Sequence, residues 1–382
     1  MSGALREALR ERRVIVCVGA GGVGKTTVAA TLALRAAVEG RRTMVLTIDP
    51  ARRLANALGL KELGNVETRV DPARLREAGL EPKGELFAMM LDLQRSWDDL
   101  ISRYVPPKQR EALLRNRFYQ TLSSALAGSQ EYIATEKLYE LHARGDYDLL
   151  VLDTPPTSHA LDFLDAPKRI LDFLDQRPLR AVAGPALAAG RIGFKLMTLG
   201  GSVAGKALSR LTGTETLEEL TAFMLEIQGT YGVFKERAAQ VKELFTSSES
   251  AFVLVTSPHG ANIDEAVYFH ERLAEEGIPV AGVVANRVHP DFLGEAPLPA
   301  ATELAACLSG SGLPDTGDPP LSERLLRTLE EARATASLDR RHLLRLADAT
   351  RPSPLLRVPR FDSDLYDLPG LWAMGLHLFA EE

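Results

Sequence analysis

Short apolar runs alternate with helical patterns along most of the chain. Each run has four to six residues, which is typical of strands that are buried on both faces. The β-α-β order predicts an α/β fold, with a mostly parallel, doubly wound sheet covered by helices on both faces. Ligands of such sheets bind at the carboxyl ends of the strands. The predicted strands are Val14–Val18, Thr43–Ile48, Leu149–Leu152, Phe252–Val255 and Val280–Ala285.

Two longer segments lack the strand pattern, and we predict that they are helical insertions within a single domain of residues 1–382. They cover about residues 85–144 and 160–248. Residues 176–214, inside the second segment, contain no Asp or Glu but have seven glycines and six basic residues. Because this composition differs from that of the rest of the chain, we expect a helical subdomain inserted in the sheet.

A glycine-rich segment follows the first predicted strand and precedes a helical pattern that ends at Gly40. It reads Gly19-Ala20-Gly21-Gly22-Val23-Gly24-Lys25-Thr26 and fits the phosphate-loop pattern. Glycines let successive N–H groups converge on an anion, and the helix N-terminus adds partial positive charge. We predict a nucleotide phosphate site; a turn that binds no ligand is the alternative. The expected contacts come from Gly21, Gly22, Val23, Gly24, Lys25, Thr26 and Thr27.

Three side chains, two of them in this pattern, suit a nucleotide bound with Mg²⁺. Lys25 would reach the β- and γ-phosphates, and the Thr26 hydroxyl would hold the metal ion. Asp153 directly follows the apolar residues of the third predicted strand. Proteins with a phosphate loop usually carry at this position a second carboxylate, which serves the Mg²⁺ ion. A capping Asp in an ordinary connection is the alternative for Asp153.

A further carboxylate, Asp49, ends the second predicted strand and is followed by Pro50. If that strand lies next to the loop, Asp49 would sit beside the γ-phosphate, where a carboxylate can orient the attacking water. Asp49 is therefore the candidate catalytic residue. The alternative is a helix N-cap before a proline in the first helical turn.

Asn286 follows the last predicted strand, and its amide can both donate to and accept from an adenine edge. Guanine-specific enzymes usually place a carboxylate three residues after this Asn, whereas here His289 stands at that position. The sequence therefore favours ATP over GTP, with an ordinary loop Asn as the alternative.

Composition narrows the class of protein further. The chain has 382 residues, a formal net charge of −6 and no basic block, so nucleic acid is not a predicted partner. Its two cysteines, Cys17 and Cys307, lack motif spacing, which fits a reducing compartment. No uncharged apolar stretch approaches the ~20 residues of a membrane span. We therefore expect a cytoplasmic protein whose contact with membranes is at most transient.

Together these motifs resemble the anion-transporting ATPase family, part of the dimeric class of P-loop NTPases. The family includes the arsenical-pump ATPase and the cytosolic factor that targets tail-anchored membrane proteins. The resemblance extends over about residues 14–370. Asp49-Pro50-Ala51 matches the first switch of the family, whose Asp is catalytic. Residues 153–159, Asp-Thr-Pro-Pro-Thr-Ser-His, are similar to its second switch, usually Asp-Thr-Ala-Pro-Thr-Gly-His.

The resemblance supports the nucleotide contact of Asn286 and adds two further contacts, His259 and Pro359. Asn286 falls at the Asn that contacts adenine in the family. His259, after the fourth predicted strand, falls where the family often has Pro-Glu near the nucleotide. Pro359 falls near its C-terminal adenine loop.

The resemblance also implies a homodimer, or a dimer with a paralogue, that closes with ATP and reopens on hydrolysis. An apolar surface for a protein client would form in one state, and we place it at residues 181–211. The alternative is that these helices pack on their own sheet or form a contact within the dimer. A client role gives the ATPase a second expected partner besides its own copy.

Two other functions stay open, and one of them follows from a departure from the family pattern. The family usually has Lys at the position of Ala20, where it reaches the phosphates of the partner subunit. Arg52 or Arg53 could replace it; otherwise the protein is a slow-turnover regulatory subunit. A partition-type ATPase that organises a surface is the other alternative. A membrane-binding helix at the end of such a protein would be basic, whereas residues 368–382 contain no Lys or Arg.

Since the chain lacks Cys-x-x-Cys and any cysteine cluster, we expect neither a zinc clasp nor arsenite pumping.

Overall fold

The computed structural model describes residues 3–48, 53–117, 119–120, 129–155, 165–166, 168–169, 223 and 231–380. Eight strands in these residues form one sheet. They are β1 (Val14–Val18), β2 (Arg42–Thr47), β3 (Thr68–Arg69), β4 (Glu85–Met90), β5 (Leu149–Asp153), β6 (Ser250–Thr256), β7 (Val280–Val288) and β8 (Leu355–Pro359).

Helices occupy both faces of this sheet. Among the described residues, none of them is both long enough and apolar enough to cross a membrane. The described helices are α1 (Gly3–Glu11), α2 (Lys25–Glu39), α3 (Arg53–Ala57), α4 (Pro72–Glu77), α5 (Leu93–Tyr104), α6 (Pro107–Leu114), α7 (Ser129–Arg144), α8 (Tyr231–Thr246), α9 (Gly260–Glu275), α10 (Ala301–Gly310), α11 (Leu321–Ala349) and α12 (Leu368–Leu378).

The strand order is β3-β4-β2-β5-β1-β6-β7-β8, and every neighbouring pair is parallel except β3 and β4. The chain moves outward from β1 through β2 and β4, and returns to place β5 beside β1. It then continues to the other side through β6, β7 and β8. This reversal of direction beside β1 confirms the doubly wound α/β sheet, and it marks the carboxyl end of β1 as the place for a ligand.

The alternation of side chains along β1 builds the two layers of the core. Val14 and Val16 face one apolar cluster, which includes residues of α7, α8, α9 and α11. Ile15 and Cys17 face the other, which includes α1, α2 and α12. All four side chains are fully buried, and burial of a Val or Ile side chain contributes about 1.5–3 kcal/mol. The site-bearing end of β1 is therefore held from both faces.

All five predicted strands are present, Val14–Val18 with its predicted ends and the other four with shifted ends, but three further strands were missed. The segment of about 85–144, predicted to be helical, begins instead with β4. Its Leu, Ala and Met residues favour helices as isolated residues, but pairing with β2 and burial override that preference here. Pro359, predicted to lie in a loop, ends the edge strand β8, a position that tolerates the missing N–H of proline.

The described parts of the two long segments share one apolar cluster. Trp97 and Tyr132 from the first segment stack with ring centroids 5.6 Å apart. Phe223 and Phe234 from the second segment are buried in the same cluster. A separate helical subdomain stays a prediction, because most of residues 160–248, including 181–211, lies outside the described residues.

A buried ion pair also joins α7 to α8. Arg237 Nε lies 3.3 Å from Glu136 Oε2, and the Glu136 side chain is 4% exposed. The Tyr132 hydroxyl donates to Glu136 Oε1 across 3.1 Å. Burial raises the pKa of Glu136 although Arg237 and Tyr132 act in the opposite direction. The carboxylate is thus stable only while its partners are in place.

Candidate functional site

The glycine-rich loop between β1 and α2 lies at the carboxyl edge of the sheet, and its shape depends on two glycines. Gly19 has φ +147°, and a Cβ there would lie 1.9 Å from the Val255 carbonyl oxygen on β6. Gly24 has φ +100°, and a Cβ there would lie 2.3 Å from Asn286 Nδ2. Both positions therefore exclude a side chain.

Lys25 is the first residue of α2 and is buried beneath this loop, with 6% of its surface exposed. Its Nζ donates to the carbonyl oxygens of Gly19 at 2.8 Å and Ala20 at 2.9 Å. A buried ammonium group requires such acceptors. The loop thus holds a positive charge close to the N–H groups predicted to bind phosphate.

A carboxylate and two hydroxyl groups meet next to the loop. Asp153 Oδ2 accepts from Thr26 Oγ1 at 2.7 Å and from Thr47 Oγ1 at 2.8 Å. In the sheet, Asp153 at the end of β5 is in register with Thr47 on β2 and Cys17 on β1. The structure therefore brings together the two predicted metal residues, Thr26 and Asp153, and adds Thr47, which sequence reasoning missed.

The strand end that carries Asp153 is tied to the start of the loop. The Thr154 hydroxyl donates to the Cys17 carbonyl oxygen across 2.8 Å. Burial, together with the neighbouring Asp153, raises the pKa of the Cys17 thiol, and Lys25 only partly offsets this rise. Cys17 thus stays a protonated core residue.

These atoms fit Mg²⁺ by their chemistry. A carboxylate and hydroxyl groups are the hard oxygen ligands that this ion prefers, and they leave room in its coordination shell for water and phosphate oxygens. Asp153 is 1% exposed, so its charge is shielded from bulk solvent and acts strongly on a nearby cation. The site offers ligands from two separate elements, α2 and β5.

Asn286, predicted to contact adenine, lies against the loop itself. Its Nδ2 donates to the Val23 carbonyl oxygen across 2.8 Å, and its Oδ1 accepts from the Arg287 N–H at 3.0 Å. Arg287 Nη1 donates to the Gly22 carbonyl oxygen across 3.1 Å. Sequence reasoning assigned no role to Arg287, since an Arg after a strand carries no distinctive signal. Contact of Asn286 with adenine stays a prediction.

The remaining predicted nucleotide contacts lie at the same edge of the sheet. Thr27 is in the first turn of α2, and the exposed His259 precedes α9 after the end of β6. Pro359 ends β8, which is three strands from β1, or about 14 Å at ~4.8 Å per strand. That separation suits a ligand with phosphates at β1 and a base toward β8, and the roles of His259 and Pro359 stay predictions.

Several predicted residues lie outside the described part of the chain. The candidate catalytic residue Asp49 and the candidate cation Arg52 are among residues 49–52, and the second-switch residues 157–159 are likewise not described. The other candidate cation, Arg53, is exposed at the start of α3, the helix that follows β2. Catalysis by Asp49 and the substitute for a Lys at Ala20 stay predictions.

Comparison with known proteins identifies a family and related sequences. The family model for the anion-transporting ATPase matches residues 12–297, which include the loop, Asp153 and Asn286. The chain is 27% identical to ATPase GET3B of Arabidopsis thaliana over 299 residues, 73% of this chain and 65% of that protein. It is 28% identical to the ATPase ASNA1 homolog of Cryptosporidium parvum over 282 residues, 74% of this chain and 66% of that protein.

A third relative, ATPase ARSA2 of Chlamydomonas reinhardtii, is 26% identical over 288 residues, 75% of this chain and 70% of that protein. The chain spans just under two thirds of the length of the first two relatives. The similarity thus includes the whole described site up to Asn286, whereas the family match ends before Pro359.

Proposed function

We infer that this chain, which belongs to the anion-transporting ATPase family, binds ATP together with Mg²⁺ and hydrolyses it. The observation that carries this proposal is the contact of Thr26 Oγ1 with Asp153 Oδ2, 2.7 Å apart beside a phosphate loop. A turn without a ligand would not need a buried carboxylate, two hydroxyl groups and a buried Lys at one edge of the sheet. Phosphate binding explains all of these groups together.

Each residue then has a defined task. The loop N–H groups and Lys25 hold the phosphates, which keeps the reacting group in place. Thr26 and Asp153 hold Mg²⁺ directly or through water, and the ion neutralises negative charge on the phosphates. Asp49 orients the attacking water, a role that rests on its place in the sequence and on the resemblance of Asp49-Pro50-Ala51 to the first switch.

The output of the ATPase is a further part of the proposal. The protein forms a dimer, with its own copy or a paralogue, that ATP closes and hydrolysis reopens. One of these states presents residues 181–211 to an apolar segment of a protein client. Support comes from the family resemblance and from the acid-free, Met- and Gly-containing composition of residues 176–214. A cytoplasmic location fits such a client carrier.

Asp49→Asn tests the hydrolytic role. We expect the variant to bind ATP as the wild type does and to lose turnover, because an amide cannot accept the proton of the attacking water. Calorimetry measures binding, and steady-state phosphate release measures turnover. Asp71→Asn is the matched control: Asp71 caps α4 by accepting from Ala73 N at 2.8 Å, and Asn caps helices equally well. Unchanged turnover in Asp49→Asn would refute the role of Asp49.

The client role has a separate test. A labelled peptide of ~20 apolar residues is expected to bind in a manner that depends on the nucleotide state and on residues 181–211. Binding of the peptide that is insensitive to both would contradict this part of the proposal. ATP-dependent flotation with liposomes in the absence of any client would instead support the partition-type alternative.

A further inference from the structure

We propose that Arg287 is a positioning residue that acts with Asn286 to turn two N–H groups of the loop toward the bound phosphates. This inference rests on the proposed nucleotide site. It assigns to Arg287 a role in phosphate binding that the sequence did not indicate, and it gives Asn286 a role besides contact with a base.

Two consecutive residues of β7 reach the same loop. Successive side chains of a strand normally point to opposite faces. Arg287 departs from this rule because its φ is +61°, in the left-handed region that non-glycine residues rarely adopt. The register between β7 and β8 shifts at the same place, between Ala285 and Val288. As a result, Asn286 contacts Val23 and Arg287 contacts Gly22.

These contacts fix the direction of two peptide groups of the loop. In a trans peptide, the C=O of one residue and the N–H of the next point in opposite directions. The described cis bonds both precede prolines far from the loop, so the peptides after Gly22 and Val23 are trans. Since Arg287 and Asn286 hold these two carbonyl oxygens toward β7, the N–H groups of Val23 and Gly24 point away from β7. That direction leaves both N–H groups free of β7 and available to an anion.

The amide of Asn286 has a defined orientation. Its Oδ1 accepts from the backbone N–H of Arg287, so Nδ2 is the atom that donates to Val23. The left-handed conformation of Arg287 therefore places its own guanidinium group on the loop and orients the neighbouring amide. One residue thus controls both of the hydrogen bonds that β7 makes to Gly22 and Val23 of the loop.

Both partners of this contact, Arg287 and Gly22, are exposed to solvent. Water can replace the guanidinium group at the Gly22 carbonyl oxygen, so loss of Arg287 should not weaken the folded state. Loss of a charge-assisted hydrogen bond that orients the loop should weaken phosphate binding by about tenfold. A positioning role therefore predicts that loss of Arg287 weakens the binding of phosphate groups and leaves the stability of the folded state unchanged.

Arg287→Gly separates the two effects, since Gly adopts a φ of +61° without strain but has no guanidinium group. We expect the melting temperature to be equal to or higher than that of the wild type. The Kd for ATP and for inorganic pyrophosphate, each with Mg²⁺ and measured by calorimetry, should rise by about the same factor of ten. Arg287→Lys retains a cation and should recover most of the affinity.

The matched control is Arg357→Ala on the adjacent strand β8, which removes an exposed positive charge without touching the loop. Its Kd values should equal those of the wild type. Unchanged binding in Arg287→Gly would overturn the positioning role, as would a loss seen with ATP but not with pyrophosphate, because that result would place Arg287 on the base. If the wild-type protein binds neither ligand, the proposed function itself fails, and the positioning role with it.

Discussion

The Thr26 hydroxyl donates to the Asp153 carboxylate across 2.7 Å, although 127 residues separate the two in the chain. This contact joins the first turn of α2 to the end of β5, and it exists because β5 inserts beside β1 in the sheet. Thr47 on β2 donates to the same carboxylate oxygen, so three elements meet at one atom. A buried carboxylate held in this way is prepared to bind a divalent cation beside the loop.

Asp153→Asn tests this arrangement without changing its shape. The amide retains one oxygen atom but loses the charge that attracts Mg²⁺, so we expect the Mg²⁺ concentration needed for half-maximal ATP turnover to rise by about 10- to 100-fold. A Mg²⁺ titration of steady-state phosphate release measures the shift. Asp348→Asn, at an exposed residue paired with Arg351, is the control and should leave the titration unchanged. An unshifted titration in Asp153→Asn would remove Asp153 from the metal site.

The loop glycines offer a comparison within one motif. Gly24→Ala places a Cβ against Asn286 Nδ2 and also requires an Ala at φ +100°, so the loop must move. Gly22→Ala has nothing within 4 Å of the new Cβ and meets only the penalty of φ +75°, about 1–2 kcal/mol. We expect calorimetry to detect no ATP binding for Gly24→Ala and weakened binding for Gly22→Ala. Equal affinities in the two variants would contradict the contact with Asn286.

The ion pair between Glu136 and Arg237 should matter for folding rather than for nucleotide binding. Arg237→Met leaves a buried carboxylate without its cation, and we expect a loss of about 3–5 kcal/mol in the free energy of unfolding. The double variant Glu136→Gln/Arg237→Met removes both charges and should recover part of that loss. Urea unfolding of the two variants measures the difference. A double variant that is less stable than Arg237→Met would contradict this account.

Glu67 should make stability depend on pH. Burial opposes ionisation of Glu67, but hydrogen bonds from Arg144 and Tyr147 outweigh it and lower its pKa below the ordinary 4.5. A lowered folded-state pKa gives stability that is present above the unfolded-state value and is lost as the pH falls. We expect Glu67→Gln to be less stable than the wild type at pH 7 by about 1 kcal/mol, and the difference to shrink well below pH 4.5. Thermal unfolding at several pH values measures it, and a constant difference would contradict the prediction.

The phosphate loop and the two candidate metal residues can be predicted from the sequence because each is marked by residues next to it in the chain. The glycines, Lys25 and Thr26 follow an apolar strand directly, and Asp153 closes another such strand. Parallel strands present their carboxyl ends at one edge, so adjacency of Thr26 and Asp153 follows from the fold class. The strand β4 was missed because pairing with β2, rather than residue preference, decides its structure.

The role of Arg287 could not be predicted for a different reason. Its contact with Gly22 depends on a left-handed backbone that Arg rarely adopts, and this conformation arises from the irregular pairing of β7 with β8. Thr47 was missed because a Thr inside a strand is usual, and only the register with Asp153 gives it a polar partner. In both cases the pairing of distant strands supplies the information.

Mg²⁺-dependent release of phosphate from ATP by the purified chain, compared with Lys25→Ala, tests the central claim most directly. Lys25 provides the buried positive charge at the loop, so its loss should abolish ATP binding and hence turnover. We predict that the wild type releases phosphate only with Mg²⁺ and that Lys25→Ala releases none. Turnover that persists in Lys25→Ala, or a wild-type chain that neither binds nor hydrolyses ATP, would contradict the account.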